Sequence, residues 1–188
     1  MGTIKTTNIE PIADNGTVTL GSSGDTFSLG SGVKQSNIMN PAFQAYLSAT
    51  QSVSDGVTTK VQFDAEDLDT DNCYDNSTNY RFTPTIAGKY FVFSTTMHLN
   101  TSNSNLVNII NYIYKNGSSI SRTQFDFQNN FTKNGSLDNS LIVDMNGSSD
   151  YLEIFASVNT SSGGSPSFYG ASASSNRWCR FGAYRIGS

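Results

Sequence analysis

Three alternating aspartates are the residues whose spacing comes nearest to a chemical site in this chain. Asp67, Asp69 and Asp71 fall on every second position, and Asp75 follows where a further ligand could stand. Hard carboxylate oxygens in such a pattern converge on Ca2+ when their loop curls. Two residues break the helix–loop–helix version of the pattern. Asn72 occupies the place of the required glycine and Thr78 that of the bidentate glutamate. No helical period flanks the run. Asp67, Asp69, Asp71 and Asp75 are therefore candidate ligands of a calcium loop of another kind, weighed against a solvated acidic loop.

Other reactive residues are few. His98 is the single histidine and follows Met97 in a strand-like stretch. A general base or ligand there competes with a histidine satisfied inside a strand, which is the expectation. One histidine excludes a histidine-rich zinc site, and Cys73 and Cys179 stand far apart. Two cysteines do not make a disulfide framework. They pair, or they remain two buried free thiols in a protein made in a reducing cytosol. Ser31-Gly-Val-Lys34 fits Ser-x-x-Lys but sits in a polar leader without the companion motifs. Walker loops, Gly-x-Ser-x-Gly and His-Glu-x-x-His are absent from the sequence. A glycosidase needs two carboxyl groups roughly 5 to 9 Å apart, which linear order does not locate. The expectation is a chain that is not an enzyme.

The elements that must position these residues belong to a chain of 188 residues, enough for one sizeable core. Charged residues are 14% of it and hydrophobic ones 36%, with 16 glycines and abundant Ser, Thr and Asn. That composition suits short strands joined by polar turns. Aromatic residues at 12% argue against disorder for most of the chain. The net charge of -4 and a pI near 4.7 disfavour nucleic acid and anionic membrane as partners. The first residues contain no apolar signal-peptide core, and no apolar run approaches the ~20 residues that span a bilayer.

The pattern centres on Tyr74 to Leu99. Tyr74-Asp-Asn76 supplies turn chemistry, and Tyr80, Phe82 and Thr83 favour a short strand that Pro84 ends. Ala87-Gly88 reverses the chain. Lys89 to Leu99 then alternates, with Tyr90, Val92, Ser94 and Thr96 on one face and Phe91, Phe93, Thr95 and Met97 on the other. A strand apolar on both faces near its start belongs inside a sandwich.

Around it, Phe43, Ala45 and Leu47 alternate, and Thr58 to Phe63 reads as a strand. Leu106 to Tyr114 and Ile120 to Phe127 form a hairpin about Asn116-Gly117. Ser136 to Met145 and Asp150 to Val158 are expected to pair around Asn146-Gly147. The Ser/Gly loop Thr160 to Ser167 leads to Phe168-Tyr169 and a last strand, Arg177 to Ile186. Many short strands with regular turn signals predict an all-β fold, an antiparallel β-sandwich of jelly-roll type. Residues 1–40 differ, having isolated Ile, Val and Leu and two brief strand patterns around Gly21-Ser-Ser-Gly24. A hairpin of that size is marginal alone. The division expected is an extended β/coil segment over 1–40 that anchors the chain in an assembly, or a flexible leader, and a knob domain over 41–188.

Residues 41–188 resemble the jelly-roll family of complement globular heads and tumour necrosis factors. In the family's order, the matching pieces begin with Pro41-Ala-Phe-Gln-Ala-Tyr46, Val61-Gln-Phe-Asp64, and Tyr74-Asp75 with Arg81-Phe-Thr83. Gly88-Lys-Tyr90, Lys115-Asn-Gly117, Asp150-Tyr-Leu-Glu-Ile154 and Phe181-Gly-Ala-Tyr-Arg-Ile186 follow. Val92 stands where the family usually has a second aromatic residue, Asn79-Tyr80 lengthens a turn, and Gly182 is displaced by one. The resemblance implies a homotrimer, with Tyr90 and Val92 as candidate contacts at the three-fold axis. It also supplies a precedent for a calcium loop. Thr17-Val-Thr-Leu-Gly-Ser-Ser-Gly-Asp-Thr26 is similar to a phrase that opens many structural proteins of marine tailed bacteriophages.

Together these resemblances imply a non-enzymatic virion protein, made in the host cytoplasm. Residues 1–40 would join it to other virion proteins, and a trimeric tail-fibre knob would touch a host-surface glycan or protein through exposed loops. Aromatic rings stack on sugar faces while amides bond hydroxyls. Asn129, Asn130, Phe131 and Tyr169 are accordingly candidate ligand-binding residues, and Trp178 is expected in the core. The alternatives are a capsid-decorating fibre without host specificity and a glycan-cleaving spike enzyme. A secreted complement-like ligand is a further class, disfavoured by the missing signal peptide and missing Gly-x-y leader. No cofactor beyond calcium, no nucleic acid and no membrane insertion is expected.

Overall fold

The computed structural model describes residues 39–188 apart from 103, 104, 129, 162, 163 and 188, together with isolated residues 9, 19, 21, 23, 26, 28 and 31. The chain divides into two units, Met1–Ser36 and Asn37–Ser188. The brief strands expected around Gly21-Ser-Ser-Gly24 lie outside the described residues, and the second unit is described by itself.

Its first strands are β1 (Ala42–Tyr46), β2 (Ala49–Ser52), β3 (Thr59–Lys60), β4 (Ala65–Asp69), β5 (Tyr74–Asp75) and β6 (Arg81–Phe82). Longer ones follow: β7 (Gly88–Asn100), β8 (Leu106–Lys115), β9 (Ser118–Asp126), β10 (Asn134–Met145) and β11 (Leu152–Thr160). β12 (Pro166–Ala171), a 3-10 turn at Ser174–Asn176 and β13 (Arg180–Gly187) complete it. A seven-stranded sheet runs β2-β12-β7-β13-β1-β4, with β10 along the free edge of β7. A six-stranded sheet runs β5-β6-β11-β8-β9, with β3 also on β11. The fold is an antiparallel jelly-roll sandwich.

Period-two alternation places β7 as its residue pattern predicts. Tyr90, Val92, Ser94, Thr96, His98 and Asn100 are buried between the sheets, and Phe91, Phe93, Thr95, Met97 and Leu99 are half-buried on the outer face. The β8–β9 hairpin also forms as expected. Asn116 and Gly117 have φ of 52° and 78°, and positive φ at both central residues gives the turn a twist that matches its strands.

Asn146-Gly147 does not close a hairpin. β10 pairs with β7 over its whole length, whereas β11 pairs with β8 in the other sheet. The turn hands the chain from one sheet to the other. The Asn146 Oδ1 accepts the N–H groups of Ser148, Ser149 and Asp150, each at 3.0 Å, and the Asp150 carboxylate accepts the Asn146 N–H at 2.9 Å. A turn held by its side chains needs no ladder beneath it. A second difference is β4, which converts part of the acidic run into an edge strand paired with β1.

The core is graded. At one end Phe43 stacks on Tyr74 and Phe82 with centroids at 4.8 and 4.4 Å, and meets Phe181 edge-on at 4.8 Å. Such pairs add about 0.5–1.5 kcal/mol each beyond their burial. Towards the other end the layer between the sheets is polar. The Ser94 hydroxyl donates to Asn111 Oδ1 at 3.1 Å, the Asn139 amide to the Asn111 carbonyl at 3.2 Å, and the Ser121 hydroxyl to Asn139 Oδ1 at 2.7 Å. His98 lies fully buried in the same layer, edge-on to Phe168.

Candidate functional site

The aspartates do not converge. Asp67 pairs with the Arg177 guanidinium and accepts the Gln44 amide at 2.9 Å. Asp69 accepts the N–H groups of Cys73 and Tyr74 at 3.0 and 2.8 Å. Asp75 accepts those of Thr78, Ser77 and Asn79, and these bonds, Thr78 first, hold its carboxyl well below the usual range. Asp71 is exposed. Among the described residues no three acidic, histidine or cysteine side chains lie close enough to hold a metal ion. The candidate calcium ligands Asp67, Asp69, Asp71 and Asp75 are thus not brought together among the described residues, and the carboxylates of Asp67, Asp69 and Asp75 are each engaged by other groups.

Tyr90 and Val92 have no exposed surface within the single chain. They fill the sandwich core, so a second copy cannot reach them, and their assignment to a three-fold contact is corrected. Trp178 is likewise not a core residue, being 49% exposed ahead of β13. Phe131 is 93% exposed between β9 and β10, with Asn130 exposed beside it, and Tyr169 is half-buried in β12. The structure thus places Phe131 and Tyr169 on separate segments, and among the described residues neither ring stacks on another aromatic ring. Asn129 lies outside the described residues.

His98 is not satisfied as expected. Neither ring nitrogen meets a partner in hydrogen-bond geometry among the described residues, nor does the Thr96 hydroxyl. Burial lowers the imidazole pKa to about 4, only partly offset by nearby peptide groups of Gly135, Ile110 and Thr96. Cys73 and Cys179 are buried free thiols, and burial pushes Cys179 up to about 12. Neither is a ready nucleophile.

What the fold does bring together lies on its two outer faces. On the seven-stranded sheet, Ile142 pairs with Phe91 and Phe91 with Tyr184 across neighbouring strands. The Phe91 ring lies 5.5 Å from Tyr184 and 6.4 Å from Phe93, and Ile142 beside them is 59% exposed. Phe93 lies over Gly182, where a Cβ would come within 2.3 Å of its ring. Only glycine lets that ring lie flat. The sequence displayed Phe91 and Phe93 as the second face of their strand, but their Ile142 and Tyr184 neighbours needed the register.

On the six-stranded sheet, Tyr112 and Tyr114 project outward from β8 beside Phe155 of β11. Tyr114 and Phe155 have centroids 4.4 Å apart, and Tyr112 and Tyr114 5.9 Å. Lys60 stands 5.6 Å over Phe155, Arg122 5.7 Å over Tyr112, and Arg81 4.6 Å over Tyr151, which immediately precedes β11. Sequence reasoning missed this face. Its alternating aromatics in Asn111-Tyr-Ile-Tyr114 were the available signal, but the cations come from three other strands.

No family model matches this chain, and no characterised protein matches it by sequence. Solved structures do match. The Eiger TNF of S. frugiperda superposes with a TM-score of 0.53 at 9% identity, covering 78% of this chain and 92% of that one. The globular domain of zebrafish complement 1qA protein gives 0.51 at 13% identity over 78% and 98%. Murine APRIL gives 0.53 at 11% over 77% and 99%. These likenesses show the fold. The expected complement-head and TNF-like jelly roll is therefore found.

Proposed function

We propose that this chain is a non-enzymatic, homotrimeric virion protein of a tailed bacteriophage, whose knob contacts the host surface. The observation that carries the assembly is the outer face with Phe91, Phe93, Tyr184 and Ile142. Contiguous half-buried rings on an outer face beside an exposed isoleucine mark an interaction site. Burying them against neighbouring copies contributes about 25 cal/mol per Å2 of apolar surface removed from water. A head-to-tail contact of this kind closes into a ring when the rotation allows, and the resembled jelly-roll family implies closure at three. The contact falls on the outer face of β7, not on Tyr90 and Val92.

The virion assignment rests on the Thr17 to Thr26 phrase, with residues 1–40 joining the knob to other virion proteins. The non-enzymatic assignment is supported by His98, which is sealed between the sheets and out of reach of a substrate. Light scattering of the purified full chain tests the assembly: a trimer is expected, and a stable monomer rejects it. Antibody labelling of intact particles tests the rest. Label on tail fibres supports the host-contact reading, and unlabelled particles reject the virion assignment.

A further inference from the structure

We infer that the outer face of the six-stranded sheet binds an acidic polysaccharide whose sugars carry carboxylates. This rests on the proposed host-surface contact and moves it from the loops to a sheet face. The rings of this face pack on one another, and cations stand over them. Lys60 is neutralised by Glu153. Arg122 and Arg81 are not: among the described residues neither forms an ion pair, and Arg122 meets only Gln124 Oε1 and the Tyr112 ring.

A guanidinium resting on a ring is oriented but half used. The ring takes one planar side, and the N–H fork remains available to a carboxylate. Such a pair forms two parallel, charge-assisted hydrogen bonds. The arrangement also implies a polymer. Arg81 on β6 and Arg122 on β9 are separated by β11 and β8, so strand spacing alone puts them roughly 14 Å apart. One small anion cannot bridge them.

Tyr112, Tyr114 and Phe155 lie on the path between the two arginines. Their faces suit the C–H faces of sugar rings, while Asn108, outward on β8, can bond hydroxyls. Single-stranded nucleic acid also uses rings and cations. Such sites track the phosphates with a continuous positive groove, whereas here Arg81 and Arg122 stand apart with Glu153 on β11 between them, which favours a chain held at two separated carboxylates and by its sugar faces in between.

The test uses the full chain, with alginate as the polyuronate probe, dextran as a neutral polysaccharide and a single-stranded oligonucleotide. Alginate binding that weakens with salt is expected, with no binding to dextran and weaker binding to the oligonucleotide. Arg122→Gln is expected to weaken alginate binding at least about tenfold, since the neutral amide keeps one donor and loses the charge and the fork. Arg122→Gln combined with Tyr112→Ala should remove it, with the circular dichroism spectrum and oligomeric mass unchanged. Equal binding of dextran, tighter binding of the oligonucleotide, or alginate binding indifferent to Arg122→Gln each overturns the inference. Alginate binding lost in Phe131→Ala but kept in Arg122→Gln also overturns it, returning the contact to the loops. A labelled, trimeric virion protein that binds no alginate overturns this inference and leaves the proposed function standing. Arg122-dependent binding by a monomer supports it and rejects the trimer.

Discussion

The outer faces of the two sheets carry aromatic rings in similar number and differ in what stands beside them. On the seven-stranded sheet, Phe91 and Phe93 have Tyr184, Gly182 and Ile142 as cross-strand neighbours. Its peripheral cation–ring contact, Arg177 over Tyr46 at 3.8 Å, is neutralised by Asp67. On the six-stranded sheet the rings are overlaid by Lys60, Arg81 and Arg122, and among the described residues the two arginines form no ion pair. Equal ring content therefore suits the two faces to different contacts. Apolar surroundings make desolvation favourable and suit another copy of the chain, whereas unneutralised cations keep a face hydrated until an anion replaces the water.

The largest expected effect separates the faces by assembly. Ile142→Asp places a charge in the proposed subunit contact at a side chain already 59% exposed, so the fold should persist. The expected result is a monomer by light scattering. Tyr112→Ala on the other sheet should leave the trimer intact, and loss of the trimer in both variants would erase the distinction between the faces.

A second test asks whether both faces share one support. His98 is neutral when buried, with its pKa lowered from 6.5 to about 4. As pH falls the unfolded chain takes the proton first. Stability is then full above pH 6.5 and declines towards pH 4 by about 3 kcal/mol. Asp75 and Asp150, whose pKa values are lowered from 3.8, contribute stability that is lost only below that pH. Urea melts between pH 7 and 4 check the slope, and His98→Leu should flatten it. A wild-type stability independent of pH in this window would contradict the buried neutral imidazole. Because His98 sits between the sheets, both faces should fail together.

Gly182→Ala comes next. The added Cβ meets the Phe93 ring at 2.3 Å and the Phe43 carbonyl at 2.9 Å, and such overpacking costs about 1–3 kcal/mol. Thermal melts measure the loss, and trimer formation should weaken with it, since the displaced ring belongs to the contact. The smallest effect is expected of Arg122→Gln on stability. An exposed cation–ring contact is worth about 0.5–1 kcal/mol, so its melt should scarcely move. A larger loss would make the arginine structural.

Much of the fold was legible in the sequence. Phe43, Ala45 and Leu47, the two faces of β7 and the Asn116-Gly117 hairpin all obey local rules, because period-two alternation and turn chemistry act over a few residues. The site was much less legible. The alternating aspartates satisfied a spacing rule for calcium, but spacing does not reveal that Arg177, 110 residues away, pairs with Asp67. Trp178 was expected inside on its apolar character alone, and composition does not say which apolar groups the core has room for.

By itself, the sequence determined that strands would form, which faces of each would be apolar, and that histidine and thiol chemistry could draw on one histidine and two cysteines. Tertiary structure decided which of the two apolar faces of β7 would go inside. It put inside Tyr90, whose ring meets Phe82 at 5.7 Å, and Val92, and left Phe91 and Phe93 outside with Ile142 and Tyr184. It also gathered Lys60, Arg81 and Arg122 over rings on other strands. The reason is physical: alternation is written in neighbouring residues, whereas a choice between two apolar faces depends on which one other strands can cover.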